Sequence, residues 1–198
     1  MLEQLRPYVL TFIPIFAAVD ALGNIPLFIA LTHSLNKRHK QKVIQESILT
    51  AAIIAVLFMF LGKAILRVLG ITVADFQIAG GILLLVISTH LLLAGKHKGS
   101  VLTEGSPDVG IFPLGTPLVT GPAVLTMTLM MVDSFGPIST FISLALNMFI
   151  VWLTFRYTEF FVRIIGESGM KAFSKIMYIL LAAIAVMMMR RGVMGLFL

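Results

Sequence analysis

Residues 19–26 read VDALGNIP and lie inside an apolar stretch that runs from about Tyr8 to Thr32. An aspartate, a glycine, an asparagine and a proline are poorly suited to an unbroken helix at membrane depth. Proline lacks an amide hydrogen and clashes with the preceding turn, glycine adds backbone freedom, and asparagine is a favoured N-cap. The stretch therefore predicts a helix that breaks near its middle and restarts near Asn24.

A second stretch of the same kind, residues 112–122, reads FPLGTPLVTGP. It holds three prolines and two glycines, so we expect the helix to fail here too. Proline is favoured in a first turn, which predicts a restart near Pro122 with Thr120 or Gly121 as the cap. Non-helical backbone at membrane depth is tolerated only where protein buries it or where it lines a water-filled cavity.

The composition identifies the class of protein. Of 198 residues, 59% are apolar and 12% are charged, whereas soluble domains carry about 25% charged residues. This excludes a soluble globular enzyme and a disordered chain, and the stretches are too long and lack the alternation of barrel strands. Cysteine is absent, which excludes disulfides and thiolate chemistry. The sequence predicts an all-α integral membrane protein.

Apolar stretches long enough for helical spans, at roughly 20 residues per crossing, recur six times. They cover about Tyr8–Thr32, Ile48–Leu69, Phe76–Ala94, Val109–Val132, Pro137–Tyr157 and Ala172 to the C-terminus. The connections between them include Asn36–Lys42 and Thr158–Lys171. We expect one transmembrane domain, 1–198, with halves 1–95 and 108–198 joined by a cytoplasmic linker over residues 96–107.

The net charge of +6 is interpreted as loop orientation rather than as affinity for nucleic acid, which we do not expect as a partner. Ten of the 15 Lys and Arg residues fall on the side of the first, third and fifth connections: Lys37, Arg38, Lys40, Lys42, Lys96, Lys98, Arg156, Arg163, Lys171 and Lys175. The positive-inside rule then predicts that these connections are cytoplasmic and that both termini lie outside.

The two halves of the chain resemble each other. Residues 76–87 match residues 173–184 at an offset of 97, and Pro26 matches Pro122 at an offset of 96. Halves of three spans each must lie in opposite orientations. This predicts two inverted three-helix repeats, with the first and fourth helices broken near mid-membrane, an arrangement typical of secondary transporters.

The two breaks also indicate a ligand. The start of a half-helix exposes unpaired amides and about half a positive charge, which favours a carboxylate. The carboxylate of Asp20 and the carbonyls of the unwound backbone can accept hydrogen bonds from an ammonium group. The carboxylate can alternatively carry a proton during transport. Its alternative role is a structural acceptor for loose amides. Thr116 and Thr120 are further candidates, although threonine hydroxyls often bond to their own helix.

The sequence resembles the MarC family of integral membrane proteins. The motifs that carry the resemblance are Asp20-x-x-Gly23-Asn24-Ile25-Pro26, Pro113-Leu114-x-x-Pro117-Leu118-x-x-Gly121-Pro122, Gly166-Glu167-Ser168-Gly169 and Gly192. Ala21 stands where the family often has proline. The resemblance implies a six-span inner-membrane protein, related to small neutral amino acid transporters of the SnatA type. It also implies a substrate site built from Gly23, Asn24 and Pro26 in the first half and Thr120, Gly121 and Pro122 in the second.

We therefore expect a secondary transporter of glycine, alanine and similar amino acids that works by alternating access. Its expected partners are membrane lipid and a coupling ion, for which a proton is favoured because Asp20 is titratable. The alternatives are an ion or metal transporter, efflux of other small solutes, an intramembrane enzyme acting on lipid, and a membrane scaffold. No nucleotide-binding, nucleophile or metal-ligand motif stands out, so we expect no enzyme activity, cofactor or metal.

Overall fold

The computed structural model of the chain describes residues 2–32, 35–93 and 110–196. The predicted linker, residues 96–107, lies outside these ranges. Within them the chain forms eight helical segments and no strand. They are α1 (Leu2–Val19), α2 (Ile25–Thr32), α3 (Lys37–Leu69), α4 (Val73–Leu93), the irregular α5 (Ile111–Val119), α6 (Pro122–Phe135), α7 (Pro137–Arg156) and α8 (Thr158–Gly195).

Four helices in the described ranges are long and apolar enough to cross a membrane. They run over Lys37–Leu69, Val73–His90, Pro137–Arg156 and Tyr178–Gly195. The pair α5 and α6, which meet at a bend of 46°, gives a fifth if it counts as one broken span. Helix α1 is apolar over Leu5–Val19 but shorter. The prediction of an all-helical membrane protein is confirmed.

Helices extend into two of the predicted connections, Asn36–Lys42 and Thr158–Lys171. Helix α3 already begins at Lys37, where the Asn36 side chain accepts a hydrogen bond from the His39 amide at 2.9 Å. Lysine and arginine are good helix formers, so a basic segment can extend a helix beyond the apolar region. Residues 158–171 belong to α8, whose helical course is interrupted at Gly166, with φ at 74°.

The outward-facing surface of the helices is apolar. Val68 is 85% exposed and Ile138 is 72% exposed, and many other large apolar side chains share this surface. Water would penalise such a continuous apolar coat, whereas lipid accepts it. The buried positions of α3 and α7, by contrast, include small and polar residues, among them Ser47, Gly62 and Asn147.

Helices α4 and α8 make the most extensive contact in the bundle, and glycines make it close. A Cβ at Gly81 would lie 2.8 Å from the carbonyl oxygen of Ala185, and one at Gly192 would lie 2.7 Å from that of Ala74. The absence of a side chain at Gly81 and Gly192 thus permits the close approach of the two helices. Small residues are the usual means by which membrane helices approach each other.

Helix α1 packs against α7 through polar side chains. The Thr11 and Ser143 hydroxyls lie 2.5 Å apart, and the Ser143 hydroxyl also donates to the Tyr8 carbonyl at 3.1 Å. The Asn147 amide donates to the Phe12 carbonyl at 3.4 Å. In the same way α5 packs against α3. Thus α1, which precedes the first break, contacts a long helix of the second half, and α5, which precedes the second break, contacts a long helix of the first half.

Gly80 of α4 lies directly against Pro122, the proline that begins α6. A Cβ at Gly80 would come within 1.9 Å of Pro122 Cγ. We expect Gly80→Ala to displace the first turn of α6 and to lower the unfolding free energy by about 1 to 3 kcal/mol, as overpacking does. Thermal unfolding in detergent measures this, with the exposed neighbour Ala79→Val as the control. Equal melting of the two variants would contradict the prediction.

Candidate functional site

The first break is a tight turn between α1 and α2. Asp20 adopts a left-handed backbone conformation with φ at 47°, which ends α1. Its carboxylate accepts a hydrogen bond from the Gly23 amide at 3.1 Å. A Cβ at Gly23 would lie 2.1 Å from Asp20 Oδ2, so glycine leaves the space into which this carboxylate folds. The break occurs even though Ala21, rather than proline, follows the aspartate.

Asn24 provides a hydrogen-bond donor for a backbone carbonyl at the end of α1. Its side-chain amide donates to the Val19 carbonyl at 3.0 Å, a group that the end of the helix leaves unpaired. The predicted restart is confirmed, because α2 begins at Ile25 and the Phe28 amide donates to the Asn24 carbonyl at 2.9 Å. The side chain of Asn24 thus bonds back to the end of α1.

The second break follows from three prolines. Phe112, Thr116 and Gly121 have extended rather than helical backbone angles, and each directly precedes a proline. A proline ring disfavours the helical conformation of the residue before it. The helix restarts at Pro122 with Gly121 as the N-cap and without a side-chain capping bond. The prediction of a restart at Pro122 is confirmed, with Gly121 rather than Thr120 as the cap.

Thr120 and Gly121 hold the second break against its surroundings. The Thr120 hydroxyl donates to the Ala51 carbonyl on α3 at 3.0 Å, and its amide donates to the Gly115 carbonyl. A Cβ at Gly121 would lie 2.2 Å from the Pro117 carbonyl oxygen. The close backbone approach at this turn therefore requires glycine.

One cavity of about 440 Å³ is lined by residues of both breaks. Asp20 and Asn24 contribute from the first break, and Pro117, Leu118 and Gly121 contribute from the second. The walls between them are mostly apolar and come from α1, α4, α6 and α8. The prediction that the two breaks meet at a common space in the bundle agrees with this geometry.

The predicted site residues occupy three kinds of position. Asp20, Asn24 and Gly121 line the cavity, whereas Gly23, Thr120 and Pro122 belong to the breaks without being part of its lining. Thr116 is partly buried, and its hydroxyl has no hydrogen-bond partner in the structure. The backbone of Pro26 lies in the first turn of α2, and its side chain lies outside the described set.

Three polar residues of the cavity wall are missing from the sequence-based site: Gln77, Thr126 and Arg191. A signal for Thr126 exists, since it lies one helical turn after Pro122 and a helix restarting there carries it along the same face. Arg191 is the basic group of the lining, as Asp20 is the acidic one. Its position near the end of the sixth apolar stretch indicates only orientation when the sequence is considered alone.

The cavity extends toward one end of the bundle, which we call the Asp133 end. Met130 and Arg191 line it there, and Asp133 forms an ion pair with Lys63 of α3 at the same end. At the opposite end, which we call the Lys37 end, a smaller pocket of about 140 Å³ is lined by Phe28, Phe155 and the cations Lys37, Lys40 and Arg156, among others. The Phe28 and Phe155 rings are stacked with centroids 4.5 Å apart.

No three histidine, aspartate or glutamate side chains come together as a metal site in the described part of the chain. The acceptors at the first break are one carboxylate, the Asn24 amide and backbone carbonyls. The second break offers donors, because α6 begins there without a side-chain cap. The cavity can thus meet a positive group on one wall and a negative group on the other.

Comparison with known proteins places these features in a family. A family model described as "MarC family integral membrane protein" matches residues 5–197 of this chain. A UPF0056 membrane protein of Archaeoglobus fulgidus is 34% identical over 185 residues, which cover 89% of this chain and 87% of the relative. The UPF0056 membrane protein YhcE of Escherichia coli is 31% identical over 196 residues, covering 94% and 91% of the two chains.

No solved structure matches the chain significantly. The family match extends across both helix breaks and the whole cavity, and relatives from an archaeon and a bacterium cover nearly the full length. The chain belongs to the MarC family of integral membrane proteins.

Proposed function

We propose that this chain is a secondary transporter that moves small neutral amino acids, glycine and alanine among them, across the inner membrane without a chemical step. The observation that carries the proposal is the cavity of about 440 Å³ that residues of both helix breaks line. Ligand sites are of about 300 to 1,000 Å³, so this cavity has room for a small amino acid together with water.

The proposal includes six spans in two inverted repeats, with α1 and α2 forming the first span and α5 and α6 the fourth. The pattern of buried positions supports it, because the buried residues Val43, Ser47 and Ala51 on α3 have buried counterparts 96 residues later on α7. Their counterparts are Ser139, Ser143 and Asn147. The positive-φ glycines Gly70 and Gly166 have the same spacing. Contacts of α1 with α7 and of α5 with α3 are exchanged by such a symmetry.

A zwitterion fits the chemistry of the two walls. The N-terminus of α6 favours a negative group, and the Asp20 carboxylate on the facing break attracts a positive one. A carboxylate inside a membrane is costly and is by default functional. An α-amino acid carries both charges on one carbon, and a small side chain can contact the apolar remainder of the wall.

The two pockets support a mechanism of alternating access. The large cavity extends to the Asp133 end, and the smaller pocket lies at the Lys37 end. Asn24 lines the first pocket and Phe28, one helical turn later, lines the second. We propose that one repeat rocks against the other, so that the stacked Phe28 and Phe155 rings separate when the substrate leaves toward the Lys37 end.

Purified protein in liposomes tests the substrate. We expect labelled glycine and alanine to be taken up or exchanged, and we expect both to raise the melting temperature in detergent, since a ligand of the folded state stabilises it. Protein-free liposomes are the control. Absence of both transport and stabilisation would contradict the assignment, and stabilisation by divalent cations alone would favour an ion transporter.

Asp20→Asn tests proton coupling. Asparagine keeps an oxygen that can accept from the Gly23 amide, so the break is expected to persist while the titratable group is lost. We expect accumulation driven by a pH gradient to disappear, and exchange of glycine to continue at a raised KM, because the substrate ammonium group loses a charged acceptor. The matched control is Asp133→Asn, which removes an exposed carboxylate. Unchanged pH-driven accumulation in Asp20→Asn would contradict the proton role, and an unchanged KM for exchange would contradict the contact between Asp20 and the substrate ammonium group.

Single cysteines test the orientation, because the chain has none of its own. Gln41 is exposed at the Lys37 end, and Ser134 is exposed at the Asp133 end. The basic start of α3 is expected to be cytoplasmic. A membrane-impermeant maleimide should therefore label Ser134→Cys in intact cells and Gln41→Cys only after permeabilisation. The reverse pattern would invert the proposed topology, with both termini inside.

A further inference from the structure

Thr126 carries a hydroxyl without a partner at the wall of the cavity. The residue is 6% exposed, its Oγ1 makes no hydrogen bond in the structure, and the side chain lines the cavity between the two breaks. A buried polar group without a hydrogen-bond partner destabilises the fold. Such a group at a cavity wall indicates a ligand contact that the unliganded protein lacks.

The other buried hydroxyls of the helices show what Thr126 does not do. Many donate to the carbonyl four residues earlier, the usual arrangement for Ser and Thr in membrane helices. Examples are Thr32, Ser47, Thr128, Thr140 and Thr154. Thr128, on the same helix, donates to the Val124 carbonyl at 2.7 Å. The hydroxyl of Thr126 is therefore not committed to its own helix.

The first turn of α6 adds two further donors beside this hydroxyl. Pro122 has no amide hydrogen, and the Leu125 amide is the first that bonds back, to the Gly121 carbonyl at 3.0 Å. The amides of Ala123 and Val124 thus have no partner within the helix. Both residues line the same cavity as Thr126. Helical side chains lean toward the N-terminus, so the Thr126 side chain leans over this turn.

We propose that the Thr126 hydroxyl and the amides of Ala123 and Val124 form the subsite for the substrate carboxylate; this rests on the proposed function. All three groups donate, and the start of the helix adds about half a positive charge. Asp20 and Asn24, on the facing break, then receive the ammonium group. The ligand class is an α-amino acid with a free carboxylate and a small apolar side chain.

The subsite predicts which parts of a ligand matter. Alanine supplies both charged groups, alaninamide lacks the carboxylate, and propionate lacks the ammonium group. We expect wild-type protein to bind alanine more tightly than either analogue. The preference for alanine over alaninamide measures the carboxylate subsite alone, because both molecules present the same ammonium group to Asp20.

Thr126→Val removes the hydroxyl and keeps the shape of the side chain. A hydrogen bond to a charged group contributes enough that we expect the Kd for alanine to rise about tenfold. The Kd for alaninamide should change much less, so that the preference between the two ligands shrinks. Thr126→Ser should restore alanine binding, and the melting temperature of unliganded Thr126→Val should not fall, since no bond is lost.

Thr128→Val is the matched control, because it makes the same change on the same helix at a hydroxyl already bonded to its own backbone. Its Kd for alanine should equal that of the wild type. An unchanged Kd in Thr126→Val, or an equal loss for alanine and alaninamide, would overturn the subsite while leaving the transport proposal standing. Failure of the wild-type protein to bind any amino acid would instead overturn the proposed function.

Discussion

Backbone that leaves the helical path inside a membrane must find partners for its own polar groups, because lipid offers none. This constraint determines both breaks. At the first, the Asn24 side chain pairs with the Val19 carbonyl and the Asp20 carboxylate pairs with the Gly23 amide. At the second, Thr120 donates to a carbonyl of α3, and the prolines present no amide hydrogens that need partners.

Once the breaks are satisfied, packing decides how closely they approach each other. Gly80 lets α4 lie directly against Pro122, and the Gly81 and Gly192 contacts bring α4 and α8 together. The same helices supply the apolar walls of the cavity. A bundle of large side chains at these positions would hold the helices apart, and the cavity between the breaks would lose its defined walls.

Some polar groups at the breaks are satisfied, while others are left for a ligand, and this difference separates structure from function. Asn24 and Thr120 are tied to carbonyls, so much of their role is to hold the chain. Thr126 and the first amides of α6 are not paired within their helix. Glycine and proline motifs indicate where a helix breaks, but only the arrangement of neighbours shows which nearby hydroxyl remains available.

The sequence by itself determined the class of protein, the family resemblance and the position of both breaks. These depend on local chemistry. At the second break the residues before the prolines leave the helical conformation, and at the first break Asp20 and Gly23 form the turn. Only the tertiary structure decided that Thr120 faces α3 while Thr126 faces the cavity, and that Arg191 lines the same cavity. Those orientations depend on contacts between segments far apart in sequence, which neither hydropathy nor motif spacing specifies. The helical course of residues 158–171 belongs to the same category.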